Sequence, residues 1–308
     1  MNGSIERRAF FSQGARALAA AGAACAAGAS WPATASAVEP IARTGSRRFR
    51  IACAAYSLRK YLELQKATMT VEEFIQKCAG WGTDGVELTE YYIRKPITLD
   101  AINRLKRMAI IWGQDITGSP IGNNFALPPG RERDRQLEAM REWIDVSADL
   151  GSPAIRIFAG SAPKGVTDAQ TRKWVVECIH SVCDHAARRG VFLAIENHGG
   201  VVATVEGLLE IIKAVDSEWV GVNLDTGNFH SADPYADLAQ AAPYAVTCQL
   251  KVDITAAGKP REDVDIGRIG DLLRKANYRG YVTLEYEGTE EPLDAVPRWL
   301  ERMRKELA

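Results

Sequence analysis

Acidic and amide side chains stand at the ends of four consecutive apolar runs in the second half of the chain. The runs end in Ile195-Glu196-Asn197-His198, Leu224-Asp225-Thr226-Gly227-Asn228, Gln249-Leu250-Lys251 and Leu284-Glu285-Tyr286-Glu287. The carboxyl ends of barrel strands share one face, so Glu196, Asp225, Gln249 and Glu285 are expected to converge. Clustered carboxylates repel unless a cation lies between them. We therefore expect one divalent metal ion there; the alternative is that each acid pairs with a Lys or Arg on the rim.

Groups able to move protons accompany the expected ligands. Glu196 and Glu285 are candidates for acid/base catalysis as well as for ligation. His198 lies two residues beyond Glu196 and shares its face if the strand continues, which makes it a candidate for substrate contact or proton transfer. Lys251 either stabilises an oxyanion or pairs with Asp253. Three further polar side chains have open roles: Arg156, His230 and Glu287.

Eight short apolar runs alternate with amphipathic segments from residue 49 onward, which predicts one (β/α)8 barrel. The predicted strands are Phe49–Ala55, Gly85–Leu88, Ala109–Trp112, Ala154–Phe158, Val191–Glu196, Val220–Leu224, Ala245–Val252 and Gly280–Glu285. The predicted helices are Thr70–Ala79, Ile97–Met108, Arg131–Leu150, Asp168–Arg189, Thr204–Val215, Ile266–Ala276 and Leu293–Leu307. A doubly wound open sheet is the alternative, but no glycine-rich nucleotide-binding motif follows a strand. The irregular stretch Gly118–Gly130 is either a lid or a passive connection.

Composition limits the function classes. The 308 residues suit one barrel of about 250 residues with a leader. Net charge is −1, which argues against a nucleic-acid partner. The six cysteines form no Cys-x-x-Cys pair, so we expect buried free thiols rather than a cysteine zinc site.

Residues 1–37 have the pattern of a twin-arginine export signal. Arg7-Arg8 precedes a weakly apolar stretch, Ala15–Ala29, and the small residues Ala35-Ser36-Ala37 follow. The stretch is too short and too poor in large apolar residues to span a membrane. We therefore expect an exported, periplasmic protein with a linker at residues 38–48 and the barrel at 49–308; a lipoprotein anchored at Cys25 is the weaker alternative.

The Ile-Glu-Asn-His, Leu-Asp-Thr-Gly-Asn and Thr-Leu-Glu segments resemble the xylose isomerase-like barrel superfamily, from about Phe49 to the C-terminus. The resemblance implies a metal held by Glu, Asp, His and Glu from strands five to eight, and Glu196, Asp225 and Glu285 match three of these. Gln249 stands where the family usually has His, which leaves an all-oxygen set and favours Mn²⁺, with Mg²⁺ or Co²⁺ as the alternatives. Asn228 stands where ketose epimerases often carry a substrate-binding His.

The resemblance implies a metal-dependent isomerase or epimerase acting on a sugar or keto-sugar through an enediolate. The first alternative is a lyase or dehydratase that uses the same carbanion chemistry on keto-glycosides or inososes. A non-catalytic sugar-binding barrel is the second. A nuclease of the same superfamily is disfavoured because only four histidines and no basic groove are present. The sequence does not indicate the oligomeric state.

Overall fold

A computed structural model of the chain describes residues 39–43 and 49–308. The expected export signal, including Arg7, Arg8 and Cys25, lies outside the described residues. None of the helices in the described part of the chain is long and apolar enough to cross a membrane.

Eight parallel strands form one sheet that curls into a nearly closed barrel. They are β1 (Phe49–Ala54), β2 (Gly85–Glu87), β3 (Asp115–Gly118), β4 (Ala154–Ile157), β5 (Phe192–Glu196), β6 (Val220–Asp225), β7 (Ala245–Leu250) and β8 (Gly280–Leu284). The hydrogen-bonded order is β3-β2-β1-β8-β7-β6-β5-β4. The two edge strands meet through the residues after β3: Ser119 N donates to Ala154 O at 3.0 Å, and Ile121 N donates to Arg156 O at 3.2 Å. The predicted (β/α)8 barrel is confirmed.

Each strand is followed by a helix on the outside of the barrel. The eight outer helices are α1 (Val71–Gly80), α2 (Leu99–Ile111), α3 (Arg131–Leu150), α4 (Asp168–Arg189), α5 (Val205–Val215), α6 (Pro234–Ala241), α7 (Ile266–Lys275) and α8 (Pro292–Glu306), and a single helical turn, Arg59–Leu62, precedes α1. Thr70 and Glu73 form a reciprocal capping box at the start of α1. Gly190 ends α4 with φ of 69°, a conformation that glycine adopts without strain.

The predicted third strand, Ala109–Trp112, is wrong, because this run is the last turn of α2 and its C-cap. Thr98 caps the start of this helix, because its hydroxyl accepts from Ala101 N. Ile110 is 77% exposed, so its apolar character does not reflect burial. The true strand, β3, begins with Asp115. Helix α6 was not predicted.

The stretch Gly118–Gly130 forms part of the barrel wall. Its residues Ser119 and Ile121 bond to β4 as described above, and Ser119 O also accepts from Trp143 Nε1 at 2.8 Å. Phe125 is fully buried. The described cysteines, Cys53, Cys78, Cys178, Cys183 and Cys248, are buried and free, as expected.

The register of the parallel strands sets the height of the functional side chains. Glu196 on β5 is level with Asn223 on β6, and Asp225 on β6 is level with Gln249 on β7. Glu285 directly follows β8, and its backbone N donates to Leu250 O. The strand ends therefore lie on one face of the barrel, as the sequence predicted.

Candidate active site

The predicted site residues are brought together at the carboxyl face of the barrel. Glu196 and Asp225 are the last residues of β5 and β6, Gln249 is next to last in β7, and Glu285 follows β8. All four are at most 5% exposed. Carboxylates this far from water require compensation from cations, donors or protonation.

Glu196 is paired with a cation from the neighbouring strand. Arg156 on β4 places its Nε 2.9 Å from Glu196 Oε2. The other carboxylate oxygen, Oε1, accepts from Asn228 Nδ2 at 2.9 Å. Arg156 is itself fixed, because it donates to Ile121 O and to the hydroxyl of Tyr91. The guanidinium thus supplies a positive charge beside Glu196 from a fixed position.

Asp225 is held mainly through its backbone. Asn197 binds it twice, donating from Nδ2 to Asp225 O and accepting from Asp225 N, both at 2.9 Å. The carboxylate Oδ1 accepts from Gly227 N at 2.8 Å. The other oxygen, Oδ2, is buried and has no hydrogen-bond partner. This oxygen is therefore available to a further donor or cation.

Gln249 belongs to a buried chain of hydrogen bonds. Its Oε1 accepts from Asn223 Nδ2 at 2.6 Å, and its Nε2 donates to Glu87 Oε1 at 2.7 Å. Asn223 Oδ1 in turn accepts from the hydroxyl of Thr247 at 2.7 Å. Both the oxygen and the nitrogen of the Gln249 amide are therefore hydrogen-bonded to other side chains of the protein.

Lys251 lies among the remaining carboxylates. Its Nζ donates to Glu285 Oε2 at 2.5 Å and to Glu287. Asp225 Oδ2 is 3.5 Å from the same nitrogen. Lys251 does not pair with Asp253, which was one of its two expected roles, because Asp253 pairs with Arg261 instead.

Burial dominates the acid/base properties of the site. It raises the pKa of Glu196 to about 7, although Arg156 opposes the rise. Burial likewise raises the pKa of Asp225 to about 8 against the attraction of Lys251. The pKa of Glu87 rises to about 8 through burial and through repulsion by Glu285. Burial alone would lower the pKa of Lys251, but the carboxylates around it outweigh burial and raise it.

The donor set fits the expected four-ligand metal only in part. Three carboxylates offer suitable oxygens, among them Asp225 with its unpartnered Oδ2. Gln249 Oε1, however, already accepts from Asn223 Nδ2, and Lys251 already lies between Glu285 and Asp225. Within residues 39–43 and 49–308, no group of three or more His, Cys, Asp and Glu side chains is placed to hold a metal. The side chains as arranged therefore do not fit that site.

The two histidines near the site lie at its rim. β5 ends at Glu196, so His198 does not continue the strand; it is exposed, and its ring centroid lies 4.7 Å from that of Phe158. His230 is also exposed, with Nδ1 3.3 Å from Thr255 O.

A cavity of ≈ 380 Å³ opens beside the cluster and is within the size range of small-molecule sites, about 300–1,000 Å³. Its lining includes Arg59, Asn228, His230, Lys251, Arg261 and Glu287. A larger cavity of ≈ 580 Å³ lies between the segments that precede α1 and α2. Glu196, Asp225 and Glu285 line neither cavity, but Asn228 and Lys251 in the wall of the smaller one donate to Glu196 and Glu285. The smaller cavity is therefore the candidate substrate site.

Sequence reasoning missed Glu87 as a member of the cluster. It ends β2, in Gly85-Val86-Glu87, and is 3% exposed. The rule that polar residues at strand ends face the barrel mouth applies to it as well. Its contact with Gln249 spans 162 positions of the chain, which no local pattern reveals.

Comparison with known proteins identifies structural relatives. D-psicose 3-epimerase from Clostridium cellulolyticum H10 has a TM-score of 0.69 at 19% identity, over 84% of this chain and 99% of that one. 3-Keto-D-glucoside 4-epimerase from E. coli has a TM-score of 0.66 at 17% identity, over 84% of this chain and 100% of that one. A xylose isomerase domain protein from Planctomyces limnophilus has a TM-score of 0.64 at 18% identity, over 84% of this chain and 98% of that one. At these identities the likeness carries the fold alone.

The family model described as xylose isomerase-like TIM barrel matches residues 75–304, well over half of the chain. The match covers the strands that carry Glu87, Glu196, Asp225, Gln249 and Glu285. The chain belongs to the xylose isomerase-like TIM barrel family.

Proposed function

We propose that the chain is a sugar isomerase or epimerase that moves a proton at a carbon beside a carbonyl group. The observation that carries the proposal is a buried carboxyl, Glu196, with a pKa near 7 at the mouth of a sugar-epimerase-like barrel. A group with a pKa near the working pH both takes and returns protons efficiently. Two relatives of the same fold are sugar epimerases by name, which supports the choice of substrate class.

Epimerisation requires an acid/base group on each side of the reacting carbon. Glu196 from β5 and Glu285 from β8 are separated around the barrel by β6 and β7. Removing the proton places negative charge on the carbonyl oxygen and gives an enediolate. Returning a proton to the opposite face of the same carbon inverts the centre. Returning it to the neighbouring carbon, with transfer of the hydroxyl proton to the former carbonyl oxygen, moves the carbonyl.

The side chains around the cavity position the substrate. Arg156 holds Glu196, and Asn228 donates to the same carboxylate from the cavity wall. Burial excludes water from this face of the cluster, which strengthens every electrostatic interaction with the developing charge. We propose that His198, which is exposed and lies against the ring of Phe158, contacts the substrate.

The divalent metal expected from the sequence, Mn²⁺ before Mg²⁺ or Co²⁺, stays a prediction. Glu196, Asp225 and Glu285 supply suitable oxygens, but Gln249 and Lys251 are engaged as described above. No step of the proposed reaction is therefore assigned to a metal. Export to the periplasm likewise stays a proposal from residues 1–37.

Product analysis tests the proposed function. The purified protein is incubated with a panel of ketoses and keto-glycosides, and the products are identified by NMR. A rearranged sugar of unchanged mass supports an isomerase or epimerase. A released aglycone or water identifies a lyase that uses the same proton removal. Binding of a sugar that is recovered unchanged would contradict both and indicate a binding protein.

A further inference from the structure

Lys251 occupies the centre of the carboxylate cluster. The residue is 7% exposed, and its ammonium lies within 3.5 Å of oxygens from Asp225 and Glu285, while it also donates to Glu287. These carboxylates come from β6 and from the end of β8. A cation that gathers acids from separate strands does what a bound metal ion does in an acidic site.

The fold holds the lysine in this position. The Lys251 backbone N donates to the hydroxyl of Thr226 at 2.9 Å. A Cβ on Gly227 would lie 2.7 Å from Lys251 Cγ and 3.0 Å from the backbone oxygen of Asp253. Only glycine leaves room for the lysine stem at this point. The ammonium is thus placed by the turn after β6 as well as by its own strand.

A metal ion and this ammonium compete for the same oxygens. A divalent ion bound to Asp225 and Glu285 needs their oxygens at about 2.0–2.6 Å. The ammonium already lies 2.5 Å from Glu285 Oε2 and 3.5 Å from Asp225 Oδ2. A metal ion bound to these oxygens would lie close to the ammonium, and the two positive charges would repel strongly because the site is buried. Gln249, the fourth expected ligand, is meanwhile held by Asn223 and Glu87.

We propose that Lys251 is the resident cation of this site in place of a divalent metal, and that its ammonium stabilises the oxyanion of the reacting substrate. Two of its three hydrogens donate to Glu285 and Glu287. The third makes no hydrogen bond to Asp225, whose Oδ2 has no partner, and Lys251 lines the ≈ 380 Å³ cavity. One hydrogen therefore remains for a substrate oxygen.

The second half of the proposal rests on the proposed function; the first does not. The wild-type protein is treated with a chelator and then titrated with MnCl₂, CoCl₂, MgCl₂ and ZnCl₂, with metal content and melting temperature as readouts. A ligand that binds the folded state raises the melting temperature. We expect no retained metal and no rise. Retention of about one ion per chain with a rise in melting temperature would overturn the proposal.

Two variants test whether the lysine holds the place of the metal. Lys251→Met combined with Gln249→His removes the competing charge and supplies the usual imidazole, so it should bind about one Co²⁺ or Zn²⁺ per chain. Gln249→His alone keeps the ammonium and should bind none. A folded double variant without metal affinity, or a single variant that binds as well as the double one, would contradict the proposal. If the double variant does not fold, the wild-type titration still decides.

Activity tests the role in stabilising the oxyanion. With a substrate found in the product screen, wild-type turnover should be unchanged by chelator. Lys251→Met should lower kcat by about 10²–10³, the loss typical of one oxyanion donor, and Lys251→Arg should restore part of it. The control Lys305→Met removes an exposed lysine of α8 and should leave kcat unchanged. Loss of turnover with chelator, restored by a metal, would overturn the proposal. If no sugar is turned over, the proposed function fails, while the metal titration remains decisive for Lys251.

Discussion

Replacing Gln249 with Leu tests whether this residue is a structural centre of the cluster or a ligand. Gln249 is 0% exposed and joins Asn223 to Glu87 by bonds of 2.6 and 2.7 Å. Leucine is of similar size and has no polar atoms, so Asn223 Nδ2 and Glu87 Oε1 are left without partners. Each buried group left unpaired costs about 1–3 kcal/mol, so we expect the free energy of unfolding to fall by about 2–6 kcal/mol.

The assay is urea denaturation, with and without Mn²⁺. Gln240→Leu in α6 is the matched control; the side chain is exposed, and its substitution should change stability by no more than about 0.5 kcal/mol. The decrease in the free energy of unfolding caused by Gln249→Leu should be the same with Mn²⁺ and with chelator. A loss below about 0.5 kcal/mol, or one that appears only with Mn²⁺, would refute the structural role.

Three further predictions address catalysis, pH and export. Glu196→Gln or Glu285→Gln should lower turnover at least about a hundredfold in a steady-state assay, and a smaller effect would remove that residue from acid/base catalysis. The pKa of Glu87 is raised to about 8, so the stability it contributes is full below its unfolded pKa and is lost as pH rises through about 8. Glu87→Gln should therefore be increasingly more stable than wild type from pH 5 to 8 in urea denaturation; a constant difference would contradict the shift. Changing Arg7 and Arg8 to Lys should leave precursor in the cytoplasm on cell fractionation, and normal periplasmic delivery would contradict the export signal.

Strand-end polarity made much of the site predictable from the sequence. Glu196, Asp225, Gln249 and Glu285 were placed together because parallel barrel strands all point their carboxyl ends to one face. That rule depends only on topology, and the topology followed from the alternation of apolar runs with amphipathic helices. The same rule explains why Glu87, equally a strand-end acid, belongs to the cluster.

Contacts across the barrel were not predictable in the same way. The partners of Gln249 and Lys251 depend on the reach of side chains between strands far apart in sequence, 162 positions for Gln249 and Glu87 and 34 for Lys251 and Glu285. The prediction of the third strand was wrong for a different reason. Ala109–Trp112 is apolar but largely exposed at the end of α2, and hydrophobicity alone does not separate a short buried strand from the end of a helix.

Exchange of a substrate hydrogen with solvent deuterium tests the central claim most directly. Epimerisation and isomerisation both begin by removing a proton from a carbon beside a carbonyl. In D₂O, the wild-type protein should place deuterium at that carbon of a keto-sugar, seen as loss of one C–H signal by NMR. Glu196→Gln and Glu285→Gln should suppress the exchange at least about a hundredfold. Conversion of a keto-sugar with no deuterium in substrate or product would contradict proton transfer as the function of this site.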